Sequence, residues 1–241
     1  MFESIHFESG GRRTTNASRP DVLDRLRAIV GEENVVVDPE RVEPYGADAV
    51  KEKFPPEAVV FPATTAEMAA ILKLANEVVF PVTARGGGVG YTGGAVPVEG
   101  GIVIGTDRMK QIIEINVDDL YITCQPGLTT FEVQQAAAEV GLMFAPDPAS
   151  YKDSYIGGNI AENAGGMRTP KYGVTKHHVL GLEVVTAQGD IIRTGGRTVK
   201  NVVGFDLTGL MCGSEGMLGI ITEATLKLLP MPEATSTVRA N

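Results

Sequence analysis

The 241-residue chain is predicted to be an α+β protein in two parts, a small βαβ unit followed by a larger mixed or antiparallel sheet with helices. Three observations predict this. Up to about residue 102, short apolar runs flank a segment of helical periodicity. Beyond it, short strands crowd together, with a hairpin and one long strand of alternating character. The change of pattern near residues 105–110 sets a boundary between the parts.

The elements follow in order. Val22, Leu23, Leu26, Ile29 and Val30 recur at helical spacing after Pro20, and Gly31 closes the helix. Val35-Val36-Val37 and Ala58-Val59-Val60-Phe61 are short strands. Thr64 and Glu67 form a capping-box signature ahead of Met68, Ile71, Leu72 and Ala75, predicting a helix over 65–78. A strand at Phe80 to Ala84 completes the βαβ unit. In the second part, strands are predicted at Ile102–Ile104, Ile112–Ile115 and Tyr121–Cys124. Thr129 and Glu132 cap a helix from Phe131 to Val140, and Gly141 ends it. Residues 182–186 and 190–192 form a hairpin turning at Gln188-Gly189. From Ile220 to Leu229, two sets of residues alternate as the faces of a strand. The resulting organisation is a mobile tail over 1–19, subdomains over 20–107 and 108–232, and the start of a linker over 233–241.

Composition narrows the function. A net charge of −9 argues against nucleic acid and anionic membrane as general partners. No run of about 18 apolar residues is present, so no membrane-spanning helix is expected. Cys124 and Cys212 lie in apolar segments without metal-ligand spacing and read as buried free thiols. His177-His178 are read as ordinary surface or ribityl-side histidines, because neighbours on a strand point to opposite faces and one site cannot readily use both, and Asp118-Asp119 and Glu32-Glu33 as solvated turns.

The most informative segment is Arg85-Gly86-Gly87-Gly88-Val89-Gly90-Tyr91-Thr92-Gly93-Gly94, which directly follows a strand. Backbone without side chains approaches a ligand closely, and successive free N–H groups form an anion site. Residues 88–93 satisfy G-x-G-x-x-G, but Gly94, Pro97, Gly100 and Gly101 prevent the helix that a Rossmann fingerprint requires. The segment is therefore either a phosphate cradle of another fold or a long surface turn. Arg85 either pairs with phosphate or braces the loop from behind, and Tyr91 either covers a ligand's edge or packs.

A second glycine-rich block, Ile156 to Gly166, follows the rigid Pro146-Asp147-Pro148. Gly157-Gly158 lets backbone lie against a flat ligand, and Asn159 and Asn163, four apart, are placed to bond its polar edges. The competing reading is a tight connection in which the glycines serve packing. Two close-approach sites together suggest a long ligand held between subdomains. Valine at Gly87 or at Gly158 is then expected to harm ligand binding more than folding.

The motifs resemble those of the flavin-binding half of the FAD-linked oxidases of the vanillyl-alcohol oxidase/p-cresol methylhydroxylase type. Within that family they are most similar to the glycolate oxidase D-subunit and D-lactate dehydrogenase group. The matching segments are Pro81 to Pro97, Pro146 to Pro148, Ile156 to Gly166, Lys171-Tyr172-Gly173 and Gly213 to Gly219, spread over residues 20–232.

The resemblance implies the two-subdomain FAD-binding module of the p-cresol methylhydroxylase type. It implies that Arg85, Gly86, Gly87, Gly88, Val89, Gly90, Tyr91, Thr92, Gly93 and Gly94 wrap the FAD diphosphate. Pro146, Asp147 and Ser150 would lie along the ribityl chain and flavin. Gly157, Gly158, Asn159, Asn163, Gly165 and Gly166 would line the isoalloxazine and diphosphate, with Tyr172 close by. Glu215 and Gly216 would begin the turn that brings Ile220 and Ile221 to the adenine. Relatives with covalent flavin carry a histidine where this chain has Val89, so FAD is expected to be non-covalent.

The implied function is the FAD-binding portion of a flavin-dependent 2-hydroxyacid dehydrogenase or oxidase, in which hydride passes from the substrate α-carbon to flavin N5. Family members continue into a cap domain that forms the substrate pocket. No catalytic residue or metal ligand is assigned here, and a cap or partner subunit is expected to supply them. Location in the cytoplasm is expected, peripheral to the membrane where partner subunits attach. The alternatives are a non-catalytic flavin subunit needing a partner chain, or an enolpyruvyl-sugar-nucleotide reductase-like flavoprotein.

Overall fold

The computed structural model describes residues 14–234, with 236 and 239. The first sheet has the order β1-β2-β4-β3, with β1 at Val35–Val36, β2 at Ala58–Val60, β3 at Val82–Arg85 and β4 at Ile102–Gly105. β2 and β3 each run parallel to β4, while β1 is antiparallel to β2. The βαβ unit is therefore opened by β4, which lies between the strands that the crossover helix joins. Residues alternate across this sheet. Ala58, Val60, Ile102 and Ile104 pack with Val22 and Leu26 of α1 (Pro20–Val30) and Met68 and Ile71 of α3 (Thr65–Val78). Val59 and Val103 face Val36, Val42, Tyr45 and Phe61 around the short α2 (Pro39–Val42). Both faces are covered, as a parallel sheet requires. The Thr64 hydroxyl accepts from Glu67 N at 3.1 Å and starts α3 as its sequence predicts.

The second sheet has the order β5-β6-β10-β8-β9, and every pairing in it is antiparallel. Its strands are β5 (Ile112–Asn116), β6 (Tyr121–Cys124), β8 (Val179–Val185), β9 (Ile191–Gly195) and β10 (Ile220–Lys227). A two-strand pair joins β7 (Leu142–Met143) to β11 (Leu229–Pro230). Val133 and Ala137 of α4 (Thr130–Glu139), Ile156 and Ile160 of α5 (Ile156–Glu162) and Met211 of α7 (Leu207–Met211) close the core over Ile122, Leu182, Ala224 and Leu226. A further turn of helix, α6, spans Thr169–Tyr172. Cys124 and Cys212 are free and buried, and burial pushes their thiols up to about 12 and about 11.

The two cores meet on β8 and β10. A register shift between Ile221 and Glu223 breaks the expected alternation of β10. Ile220 and Val185 then enter the first core, and Ile221 and Val184 the second. Glu183, buried on β8, accepts from Thr65 at 2.6 Å and from Thr222 at 2.9 Å, and pairs with Arg193 at 2.5 Å. That carboxylate fastens the start of α3 to the second sheet.

Of the tail expected over 1–19, residues 1–13 lie outside the described residues. Residues 14–19 are fastened to the body: Glu57, 2% exposed, accepts from Thr15 N at 2.8 Å, Ser18 N at 3.1 Å and Gly101 N at 3.1 Å. Burial pushes this carboxyl up, but the hydrogen bonds from Ser18, Thr15 and Gly101 outweigh it and leave it below its ordinary value. Glu57→Gln is expected to cost about 1–3 kcal/mol, the penalty of unsatisfied buried groups. The folded carboxyl is depressed, so its stabilisation is complete above the ordinary value of 4.5 and is lost as the pH falls through the folded one. Urea unfolding of both proteins should show a gap at neutral pH that narrows in acid.

Candidate functional site

A cleft of about 390 Å³ runs between the two sheets. The glycine loop leaves the C-terminal end of β3, where ligands bind in open α/β sheets, and forms one wall. Residues 157–159 and 161–165 and the turn 214–216 form the other, with Gly219, Ile220 and Ile221.

The loop is held from outside and left free within. The Arg85 guanidinium donates to Ala47 O at 2.8 Å, Pro44 O at 3.2 Å and Ala95 O at 3.4 Å, and lies 5.6 Å over the Tyr45 ring. These are the contacts of a brace behind the loop, one of the two roles open to it. Burial lowers its pKa, as expected of a cation turned from water to carbonyls. Gly88, at φ +65°, is required there because a Cβ would lie 2.1 Å from Arg85 Nη2. By contrast, no main-chain N–H from Gly86 to Thr92 donates a hydrogen bond within the described residues. Arg85→Met is expected to destabilise by about 2–3 kcal/mol through its lost charged hydrogen bonds. Arg85→Lys should recover only part, because an ammonium cannot span three carbonyls. A lysine variant with intact stability but weakened anion binding would mean that Arg85 pairs with the ligand instead.

Thr92 does not present a free hydroxyl: it donates to Glu162 Oε1 at 3.0 Å. Gly93 stands off the cleft wall, and its N–H is tied to Asp48 Oδ2 at 2.9 Å. Val89 and Gly94 line the cleft, and Tyr91 stands at its rim, 77% exposed. In the second block, Gly157, Gly158, Asn159, Asn163 and Gly165 line the opposite wall, as do Ser150, Glu215 and Gly216. The two asparagine amides do not share one edge. Asn159 is buried and donates to the Thr130 hydroxyl, while Asn163 ends α5 at φ +51° and accepts from Lys176 N at 2.9 Å.

Four other expected residues stand behind the wall. Pro146 O accepts from Gln134 at 2.8 Å. Asp147 pairs with Arg168 at 3.4 Å, and its carbonyl fills the space that a Cβ on Gly166 would need. Tyr172 ends α6, where its carbonyl contacts His178 Nε2 at 3.0 Å. His177-His178 lies in a 3₁₀ turn rather than a strand. His178 is buried in edge contact with Phe144, and burial lowers its pKa. Among the described residues, no group of His, Cys, Asp or Glu is placed to hold a metal.

Sequence reasoning missed Asp48, Thr106, Pro126, Tyr155, Glu162 and Met211 on the cleft. Thr106 carried a signal, since it follows the apolar β4 run at the sheet's C-terminal edge. Its hydroxyl is buried without a partner among the described residues. Tyr155 donates to Asp107 at 3.0 Å, and burial, then that carboxylate, raise the phenol to about 12. The opposite wall is open at Gly158, where a Cβ would meet nothing within 4 Å. Free N–H groups, an orphaned hydroxyl and a bare glycine facing space together fit a flat ligand that carries a diphosphate.

The family model described as "FAD binding domain" matches residues 56–195, from β2 to the end of β9. The chain belongs to this FAD-binding family. Its cofactor is FAD, and the cleft has the donors and the open wall to receive it. The glycolate oxidase subunit GlcD of Bacillus subtilis is 47% identical over 221 residues, which cover 91% of this chain and 47% of that one. A D-lactate dehydrogenase of Archaeoglobus fulgidus is 47% identical over 172 residues, 71% of this chain and 38% of the relative. The chain thus spans less than half the length of either. The structure of p-cresol methylhydroxylase superposes with a TM-score of 0.76 at 24% identity, covering 91% of this chain and 45% of that one. That likeness shows the fold.

Proposed function

We propose that this chain is the FAD-holding portion of a flavin-dependent dehydrogenase or oxidase of small 2-hydroxy acids. The observation that carries the reading is that the main-chain N–H groups from Gly86 to Thr92 donate to nothing among the described residues, on a loop that shares one cleft with the bare wall at Gly158. The likeness to a glycolate oxidase subunit and a D-lactate dehydrogenase supports the substrate class.

In this reading the Gly86–Gly90 amides hold the diphosphate, and Arg85 keeps their loop in shape from behind. Gly157 and Gly158 let the isoalloxazine lie against main chain. Thr106 offers its hydroxyl to a polar ring edge, and Gly219, Ile220 and Ile221 wall the adenine. Bound FAD supplies the two-electron acceptor for a hydride from the substrate's α-carbon. The residues here bind and orient the flavin. A further domain or a partner subunit supplies the substrate's anion site and base.

Val89 offers no nucleophile to a flavin methyl group, so FAD is held non-covalently. Titration of the apoprotein with FAD should quench flavin fluorescence to a stoichiometric end point. Acid precipitation should then release all yellow colour to the supernatant. Failure to bind would remove the reading, and colour kept in the pellet would remove its non-covalent part.

A further inference from the structure

We propose that Glu162 is a charge gate on the cofactor site: clasped to Thr92 across the cleft, its carboxylate opposes the diphosphate of FAD, so that the protonated form binds FAD more tightly. The proposal rests on the FAD reading of this cleft.

Glu162 is the last residue of α5 and belongs to the second half of the molecule, whereas Thr92 belongs to the glycine loop of the first. Its Oε1 and Oε2 lie 3.0 and 3.3 Å from Thr92 Oγ1. Oε1 is also 3.4 Å from the point where Gly90 would carry a Cβ, and 3.6 Å from that point on Gly94. The carboxylate therefore rests on the loop whose free amides are the site's anion donors.

Among the described residues, no cation pairs with it. From the turn after α7, Glu215 brings Oε2 to 2.9 Å from the Gly94 Cβ position. From the segment before β2, Asp48 holds Gly93 N. On the chain following α5, Lys176 donates only its main-chain N–H, to Asn163. Arg85 is the one cationic residue lining the cleft among the described residues, and its guanidinium is bound to three carbonyls. A diphosphate adds two negative charges beside these carboxylates, in a cleft that loses water when filled, and like charges there repel. Partial burial raises the Glu162 carboxyl above its ordinary value. The Thr92 hydroxyl works against this, and Glu215 and Asp48 raise it further. The group therefore takes up a proton more readily than an ordinary glutamate.

Linkage fixes the sign. FAD affinity is highest below the pKa of Glu162 and falls above it, by at most about tenfold per pH unit, until the ionised form's own affinity is reached. The test is the FAD dissociation constant of this chain from about pH 4.5 to pH 8.5, for wild type and Glu162→Gln, with circular dichroism as the check of folding. Wild-type binding should weaken by about tenfold overall towards high pH, and recover there with added salt, which screens the repulsion. Glu162→Gln keeps an acceptor for Thr92 but no charge, so it should bind tightly with a flat pH profile. ADP should show the wild-type dependence, and riboflavin, which has no phosphate, should not. A flat wild-type profile, or a glutamine variant weaker than wild type throughout, would overturn the gate and leave the FAD reading standing. No FAD binding at any pH would overturn both.

Discussion

Gly158→Val is expected to weaken FAD binding by about 5- to 150-fold in a protein that folds like the wild type. A Cβ at Gly158 meets nothing within 4 Å, so the substitution disturbs no packing in the protein. Gly158 lines the cleft, so what the valine is expected to fill is the space kept for the ligand. Overfilling a close-packed contact costs about 1–3 kcal/mol, and each 1.4 kcal/mol is tenfold in affinity. Gly158→Ala sharpens the test because the residue lies inside α5. Alanine should stabilise that helix by about 0.5–1 kcal/mol while it still weakens FAD binding. Stability and affinity then move in opposite directions, which a general loss of structure cannot mimic. The two glycines treated alike from the sequence differ here. At Gly87 a Cβ would stand 2.1 Å from Asp153 O, so Gly87→Val is expected to unsettle the fold itself. Thermal unfolding and FAD titration of the variants separate the cases. Wild-type affinity in Gly158→Val would mean that this wall does not touch the cofactor.

Much of this was legible in the sequence because it was encoded locally. The helix at Pro20–Val30 is marked by proline, apolar spacing and glycine, and the helix at Thr65–Val78 by Thr64 and Glu67, of which Thr64 caps Glu67 N while Glu67 reaches Ala63 N. The strand Tyr121–Cys124 stands at its predicted bounds. The glycine loop announced itself by composition. What escaped was non-local. Glycines at 157 and 158 obscure a helix, and tertiary hydrogen bonds support its start, from Ile156 N to Leu128 O and from Gly157 N to Pro126 O. The insertion of β4 between β2 and β3 depends on parallel pairing, which no local motif records. Asp48 reaches the site through a segment with no ligand signature. The Asn159–Asn163 spacing suggested one shared face, but the helix ends at Asn163 and turns its amide to Lys176.

The FAD-loaded chain is expected not to be reduced by glycolate, D-lactate or D-2-hydroxyglutarate at an enzymatic rate, on the order of 1 per second. A 2-hydroxy acid needs a cation for its carboxylate and a base for its hydroxyl proton. Among the described cleft residues there is no lysine or histidine, and the Arg85 guanidinium is bound to carbonyls. Asp48, Glu162 and Glu215 would repel a substrate carboxylate instead of holding it. The Tyr155 phenol, raised to about 12 and bonded to Asp107, stays protonated at neutral pH and cannot serve as the base. Without an anion site, the α-carbon is not kept about 3–3.5 Å from the flavin in an attack geometry, and that loss of proximity alone removes several orders of magnitude in rate. Beside α7, Val202, Val203 and Phe205 are 80%, 87% and 93% exposed, an apolar stretch on the same half of the molecule as the α5 wall. The measurement is anaerobic stopped-flow reduction, followed at the flavin absorbance, with dithionite as the control that the bound flavin is reducible. Rapid bleaching by any of the three acids would place a complete substrate site among residues assigned here only to hold the cofactor.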